Sequence, residues 1–447
     1  MRTGNSSAKS VGRKQDLSRR ESRLPFFLLL TYLFFEYGRP QALLPPLAVL
    51  HLPALIAILL AGWLFIRGNL RLTEKQTLFF GLLLGLMVIH GPLAVNNYWA
   101  LIVFIAMCFN FIVFLSILHF VDNEERFGKL VKVWLVVHVL VAAVGIVKKG
   151  VGIGGFLGDE NDLCLALNMI LPFAFFLAMS AETNSKKIYY ITLACLFLFV
   201  IILTQSRGGF LGLVATGSYC WWKSKRKLLS GTVVVVLALF LAMVAPSAYW
   251  SEIRSIAEEN TPANPHGTGA ERYYSWKIAW GMFLDNPIMG VGQGNYPWNV
   301  GVYEQKQGLT EGFNERSLAG RAAHSLYFTV MPELGLIGTV LFIVMVLLTV
   351  RDLRFIQRSG GMEAEEADGT LPAASLATAL EASLVGYLVT GAFLSVLYYP
   401  NFWILMGFTL SLRKIVERRQ DIAGRERRPR GGKGRITISD RRTDDIA

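Results

Sequence analysis

The side chains of this chain that could do chemistry stand where apolar runs end. Arg207 sits inside "ILTQSRGGFLGLVA" (202–215), with apolar residues on both sides. Arg272 heads "RYYSWKIAWGMFLDNPIMGVGQGNYPW" (272–298), and Arg316, Arg321 and His324 lie in "ERSLAGRAAHSLYFTVMPELGLIG" (315–338). Guanidinium groups bind phosphate oxygens through a rigid fork and stay charged at any physiological pH. An imidazole titrates near neutrality and can take a proton from a hydroxyl. Such a set suits a ligand that brings two phosphates, together with an alcohol that must be activated.

A second group of polar residues, Asp159, Asn161 and Asp162, lies in "GIGGFLGDENDLCLALNMILP" (152–172). These residues suit a helix N-terminus as caps, and equally a contact to a sugar hydroxyl. Glu333 falls roughly 13 Å into an apolar run, if that run is helical. A carboxylate at that depth is a functional candidate, or pairs with a buried arginine or backbone group. Arg321 stands three residues before His324, so a helix there would put both on one face. "GVGQG" lacks the strand–loop–helix context and the Lys-Ser/Thr of a nucleotide-binding loop.

A lipid carrier whose tail dissolves in the membrane, and whose diphosphate carries a glycan at the rim, matches this inventory. Transfer displaces the diphosphate from the anomeric carbon. Charge builds on the leaving phosphate, where paired arginines hold it better than in the ground state. A diphosphate leaves without a general acid, so the carboxylate pair of glycosidases is not required. What remains is deprotonation of the acceptor, for which His324 is the candidate base, and direct displacement inverts the anomeric centre. No DxD motif or His/Asp/Glu cluster that would hold a divalent metal accompanies these residues, and the expectation is no cofactor. The cysteines, Cys108, Cys164, Cys195 and Cys220, form no C-x-x-C pair and read as small buried hydrophobes.

The elements that must position these residues are membrane helices. The 447-residue chain is 53% hydrophobic and 17% charged, with mean hydropathy +0.43. That balance excludes an ordinary soluble domain. About twelve runs are long enough to cross a bilayer: 24–38, 47–66, 78–95, 99–121, 130–147, 163–181, 188–205, 208–222, 228–246, 323–350, 378–398 and 401–413. The expected fold is therefore all-α, a polytopic membrane helical bundle of about twelve spans, in the inner membrane by the resemblance given below. The first run follows a long basic arm with no small-residue cleavage site, and reads as a retained helix.

Lys and Arg at span ends favour the cytoplasm. With twelve spans, both termini fall on that side, with "KSKRK" (223–227) and the connections holding Arg67, Arg71 and Lys75, then Lys129 and Lys132, Lys186 and Lys187, and Arg351 and Arg354. The chain then divides into a basic arm (1–23), N-terminal spans (24–246), a large extracytoplasmic loop (247–322), C-terminal spans (323–413) and a basic tail (414–447). Arg207 falls at the outer rim, in a turn that Gly208 and Gly209 allow. Within the large loop, Tyr273, Trp276, Ala279, Trp280 and Phe283 recur at helical spacing, as in an amphipathic helix on the membrane surface. The basic ends are expected from topology and anionic lipid, without nucleic acid.

"LTQSRGGFLGL", "RYYSWKIAWGMFLDNPIMGVGQGNYPW" and "AAHSLYFTVMPELGLIG" together resemble the O-antigen ligase and polymerase superfamily. "FFEYGRPQALLPPL" and "GDENDLCLALNMILP" look like its O-glycosylation ligase branch associated with exosortase systems. The resemblance implies metal-independent transfer of a glycan from undecaprenyl diphosphate on the outer side of the inner membrane. The acceptor would be lipid A core, a protein hydroxyl or another glycan. It carries the family's essential positions onto Arg207, Arg272 and His324, with Arg316 and Arg321 competing with Arg272 for the second phosphate. An O-antigen polymerase would use a second lipid-linked glycan as acceptor. A lipid-linked glycan flippase should instead show a long cytoplasmic connection after span six and matched repeats, whereas that connection is only "AETNSKK" (181–187).

Overall fold

The computed structural model describes residues 23–66, 72–224, 227–228, 231–232, 268–308, 317–360 and 371–427. Its elements are helices: α1 (Arg23–Leu33), α2 (Leu52–Ile66), α3 (Lys75–Leu93), α4 (Asn97–Phe120), α5 (Glu124–Val147), α6 (Glu160–Met179), α7 (Asn184–Leu203), α8 (Arg207–Lys223), α9 (Thr268–Asp285), α10 (Tyr296–Lys306), α11 (Tyr327–Gly360), α12 (Ala373–Gly391) and α13 (Pro400–Arg427). Extended pairing among the described residues is confined to one isolated bridge, Gly154 with Leu157.

Among the described residues, eight helices are long and apolar enough to cross a membrane: Pro46–Ile66, Lys75–Leu93, Asn97–Phe120, Glu124–Val147, Glu160–Met179, Asn184–Leu203, Tyr327–Ser359 and Ala373–Gly391. The chain is thus a multi-pass membrane protein. The shorter α1 and α8 and the more polar α13 occupy the places of the first, eighth and last expected spans. Most of the expected ninth span (228–246), most of the basic arm, the tail beyond 427, and Arg67, Arg71, Lys225, Arg226 and Arg316 lie outside the described residues.

Side-chain caps start the helices that matter most. Asn96, Asn123, Asp159, Thr183 and Ser206 each accept a hydrogen bond from a backbone N–H of the first turn, as N-caps do. α6 is the hub, buried along most of its length and packed against α7, α8 and α12. The glycines after Arg207 serve this packing. Gly208 and Gly209 are helical, not turn residues, and the left-handed angle falls on Gln205 (φ 55) instead. A Cβ at Gly208 would lie 2.9 Å from Phe393 Cβ; one at Gly209 would collide with Cys164 and one at Gly212 with Thr390. Small residues let membrane helices approach this closely.

α11 is broken. Pro332 lacks an N–H, and Gly335 leaves the helix at φ 61, ψ −162. The backbone of 287–292 fills the gap: Val291 N donates to Pro332 O (2.8 Å), Gly292 N to Glu333 O (2.9 Å), Leu336 N to Pro287 O (2.8 Å) and Ile337 N to Ile288 O (3.2 Å). Irregular backbone at membrane depth persists only where protein satisfies it in this way. The Glu333 carboxylate completes the clip, accepting from Gly294 N (2.7 Å), Tyr296 N (3.0 Å) and the Tyr398 hydroxyl (2.6 Å). Each buried donor left without its acceptor costs about 1–3 kcal/mol. Glu333→Ala therefore lowers the thermal midpoint of the detergent-solubilised protein; an unchanged midpoint refutes this role.

α9 and α10 share a small core of their own, built from Ile278, Ala279, Met282, Tyr296, Val300, Leu318 and Ala323. The aromatic stripe expected on one face of α9 is divided. Trp276 and Ala279 turn inward, whereas Tyr273 and Trp280 are exposed.

Candidate functional site

α6 and α8 both begin at one end of the bundle, beside each other. Ser206 caps α8 by accepting from Gly209 N (3.0 Å), and its hydroxyl donates to Asn161 Oδ1 of α6 (2.6 Å). α9 and the segment 317–326 roof this end, leaving a cavity of about 270 Å³. Its walls are Glu160 and Asn161 from α6, Gln205, Ser206 and Arg207 at the α8 start, Glu271, Arg272 and Ser275 from α9, and Leu318, Arg321, Ala322 and His324. Three guanidinium groups and an imidazole thus face one space from three separate stretches of chain. Arg321 pairs with Glu271 (3.0 Å), and the Arg272 guanidinium lies over the Phe393 ring at 5.8 Å.

The roof is held by particular contacts. Buried Glu304 of α10 accepts from the Ser317 hydroxyl (2.6 Å), and the Trp276 indole N–H donates to Ala323 O (3.1 Å) while its ring stacks on Phe328 at 5.2 Å. α11 begins only at Tyr327. His324 itself adopts a left-handed angle (φ 49), and Gly320 likewise (φ 81). Arg321 and His324 therefore do not share a helix face, which corrects the spacing argument; they meet at the cavity because the segment turns. Burial and the Arg272 charge hold the His324 imidazole below its ordinary pKa of 6.5, with Asp159 pulling it back up, Arg321 pushing it down and Glu271 pulling up in decreasing order.

Of the other expected residues, Asn161 lines the cavity, Arg316 lies outside the described residues, and Asp159, Asp162 and Glu333 are not among the walls. Asp159 caps α6 by accepting from Asp162 N (2.7 Å), and reaches His324 only through its charge. Asp162 is buried at 7% exposure behind it. Glu333 is absent from the cavity walls and belongs to the α11 clip. Glu160, Gln205, Glu271 and Ser275 were not singled out by the sequence. Only Ser206, the polar residue preceding a helical run, carries a recognisable signal as a cap. Among the described residues, no three His, Cys, Asp or Glu side chains gather to hold a metal ion.

A helical membrane bundle with a cation-lined cavity at one end is the class that this fold and site define. A family model described as O-Antigen ligase matches residues 192–343. The matched stretch carries Arg207, Arg272, Arg316, Arg321 and His324, and over it the chain is similar to a family of ligase-type membrane glycosyltransferases, with lipid-linked glycans and glycan acceptors as partners in general. No curated protein matches the chain.

Proposed function

We propose that this protein transfers a glycan en bloc from undecaprenyl diphosphate to an acceptor hydroxyl, without metal and with inversion, as an O-glycosylation ligase of the exosortase-associated branch. The observation that carries this reading is the convergence of Arg207, Arg272, Arg321 and His324 on one cavity. The diphosphate sits among the guanidinium groups, with Arg207 and Arg272 as its principal contacts and Arg316 and Arg321 as further candidates. The volume has room for the diphosphate and the adjoining sugar, and the remaining glycan extends outside. The acceptor oxygen attacks the anomeric carbon as the bond to the diphosphate breaks, and the electron pair leaves with the phosphate. His324 takes the hydroxyl proton, aided by an environment that keeps the imidazole neutral.

In this reading the cavity end faces the extracytoplasmic side of the inner membrane, as does the loop 247–322, and both termini are cytoplasmic. α8 starts at the cavity and ends at Lys223; α11 starts near it and ends with Arg351, Arg354 and Arg358. α6 also starts there, and the connection after it leads to Lys186 and Lys187. Basic ends opposite the cavity support this orientation.

Deleting the gene is the test. Unattached lipid-linked glycan accumulates, and mass spectrometry shows which glycoconjugate is lost; shortened polymer in its place assigns the activity to a polymerase. Transfer in isolated membranes survives EDTA, because guanidinium groups neutralise the leaving group. Loss with EDTA and restoration by magnesium overturns the metal-free mechanism.

A further inference from the structure

Phe393 stands in the connection between α12 and α13, well beyond the matched stretch 192–343. It does not line the cavity, yet it touches the support of each group that does the chemistry. The close approach of Gly208 to Phe393 Cβ sets the α8 start, next to Arg207. The Arg272 guanidinium lies over its ring at 5.8 Å. Trp276 packs beside it at 6.5 Å between ring centroids, and the same indole bonds Ala323 O, one residue before His324. A nearby tie, Leu326 N to Gly391 O (2.7 Å), fixes the same turn to the end of α12.

We propose that Phe393, with Trp276 beside it, is a positioning residue that sets the Arg272 guanidinium and the His324 turn against the α8 start. The inference rests on the diphosphate-transfer reading for its consequence, though not for its geometry. A flat ring under a guanidinium holds its plane while leaving the N–H edges for phosphate. An indole that bonds the preceding carbonyl holds a left-handed histidine that would otherwise relax. One aromatic unit therefore couples the phosphate-facing and base-facing halves of the cavity.

The test uses the full chain in nanodiscs, with geranylgeranyl diphosphate as probe by calorimetry and His324 titration followed by NMR of labelled imidazoles. The charges facing His324 are Arg272 and Glu271 from α9, Asp159 before α6, and Arg321 on its own segment. Phe393→Leu weakens probe binding by about two- to fivefold, the strength of a lost cation–π contact, and Phe393→Tyr restores it. Trp276→Phe keeps a ring beside Phe393 and loses the N–H bond to Ala323 O; it moves the His324 midpoint up towards the ordinary imidazole value, as the turn opens to water. Wild-type affinity in Phe393→Leu, or an unmoved His324 midpoint in Trp276→Phe, overturns the proposal. If Phe393→Leu does not fold, the Trp276→Phe midpoint decides alone. A wild-type protein that does not bind the probe removes the diphosphate reading, and the His324 midpoint still decides the positioning role.

Discussion

Arg207→Ala lowers transfer by roughly 10²–10³-fold, the range for removing one preorganised group that meets developing charge, while insertion and expression persist. The second half of that expectation follows from where Arg207 sits. It is the first residue of α8, where the helix dipole already presents positive charge. A cation there is a burden on the helix, so its loss does not weaken α8 by that route, and the cap on Ser206 is untouched. Arg207→Lys recovers part of the activity at most, because an ammonium is a point charge and cannot fork two phosphate oxygens. Normal transfer in membranes carrying Arg207→Ala removes the diphosphate role.

His324→Ala loses about 10²–10⁴-fold, the contribution of a positioned base, and added imidazole restores part of it. Since His324 is left-handed at φ 49, alanine there also strains the backbone. His324→Asn controls for this, because asparagine tolerates that conformation and supplies no base. Equal loss in both variants assigns the effect to the imidazole; full activity in either contradicts the base role. The pH profile gives an independent reading. Burial and Arg272 disfavour the imidazolium, so the base remains neutral below the ordinary histidine value. The acid limb of kcat/KM therefore falls below pH 6.5, and Arg321→Ala, which removes one of the repelling charges, moves it up.

The membrane helices were legible because apolar runs of sufficient length have few other uses. The convergence of Arg207, Arg272, Arg321 and His324 on one space was legible in residue type, since charge beside an apolar run needs a reason. The local geometry was not. "AGRAAHSL" has a helix-forming composition, yet Glu304 and Trp276 hold that segment in turns from positions in other elements. Gly208 and Gly209 read as a turn because glycine is permissive, whereas close packing on Cys164 and Phe393 is what demands them. The aromatic spacing of α9 gave the helix but not which residues face inward, because in the α10 partner that covers them the buried Tyr296, Val300 and Tyr303 alternate with the equally apolar but exposed Trp298 and Val302. Glu333 carried the right warning, a carboxylate at depth, but its partners are backbone amides and a tyrosine that only the folded chain assembles. α13 continues past its apolar run to Arg427, with Arg413–Glu417 and Arg419–Glu124 pairs in place of lipid contact.

The break in α11 bears on modularity. Since Pro287, Ile288, Val291 and Gly292 bond the very groups that the break at Gly335 releases, the roof over the cavity and the upper half of this span form a single transplantable block. A chimera that exchanges 268–326 with a related enzyme, but leaves 327–337 behind, splits the joint and strands polar backbone in hydrocarbon. A crossover placed after Ile337 keeps the joint intact.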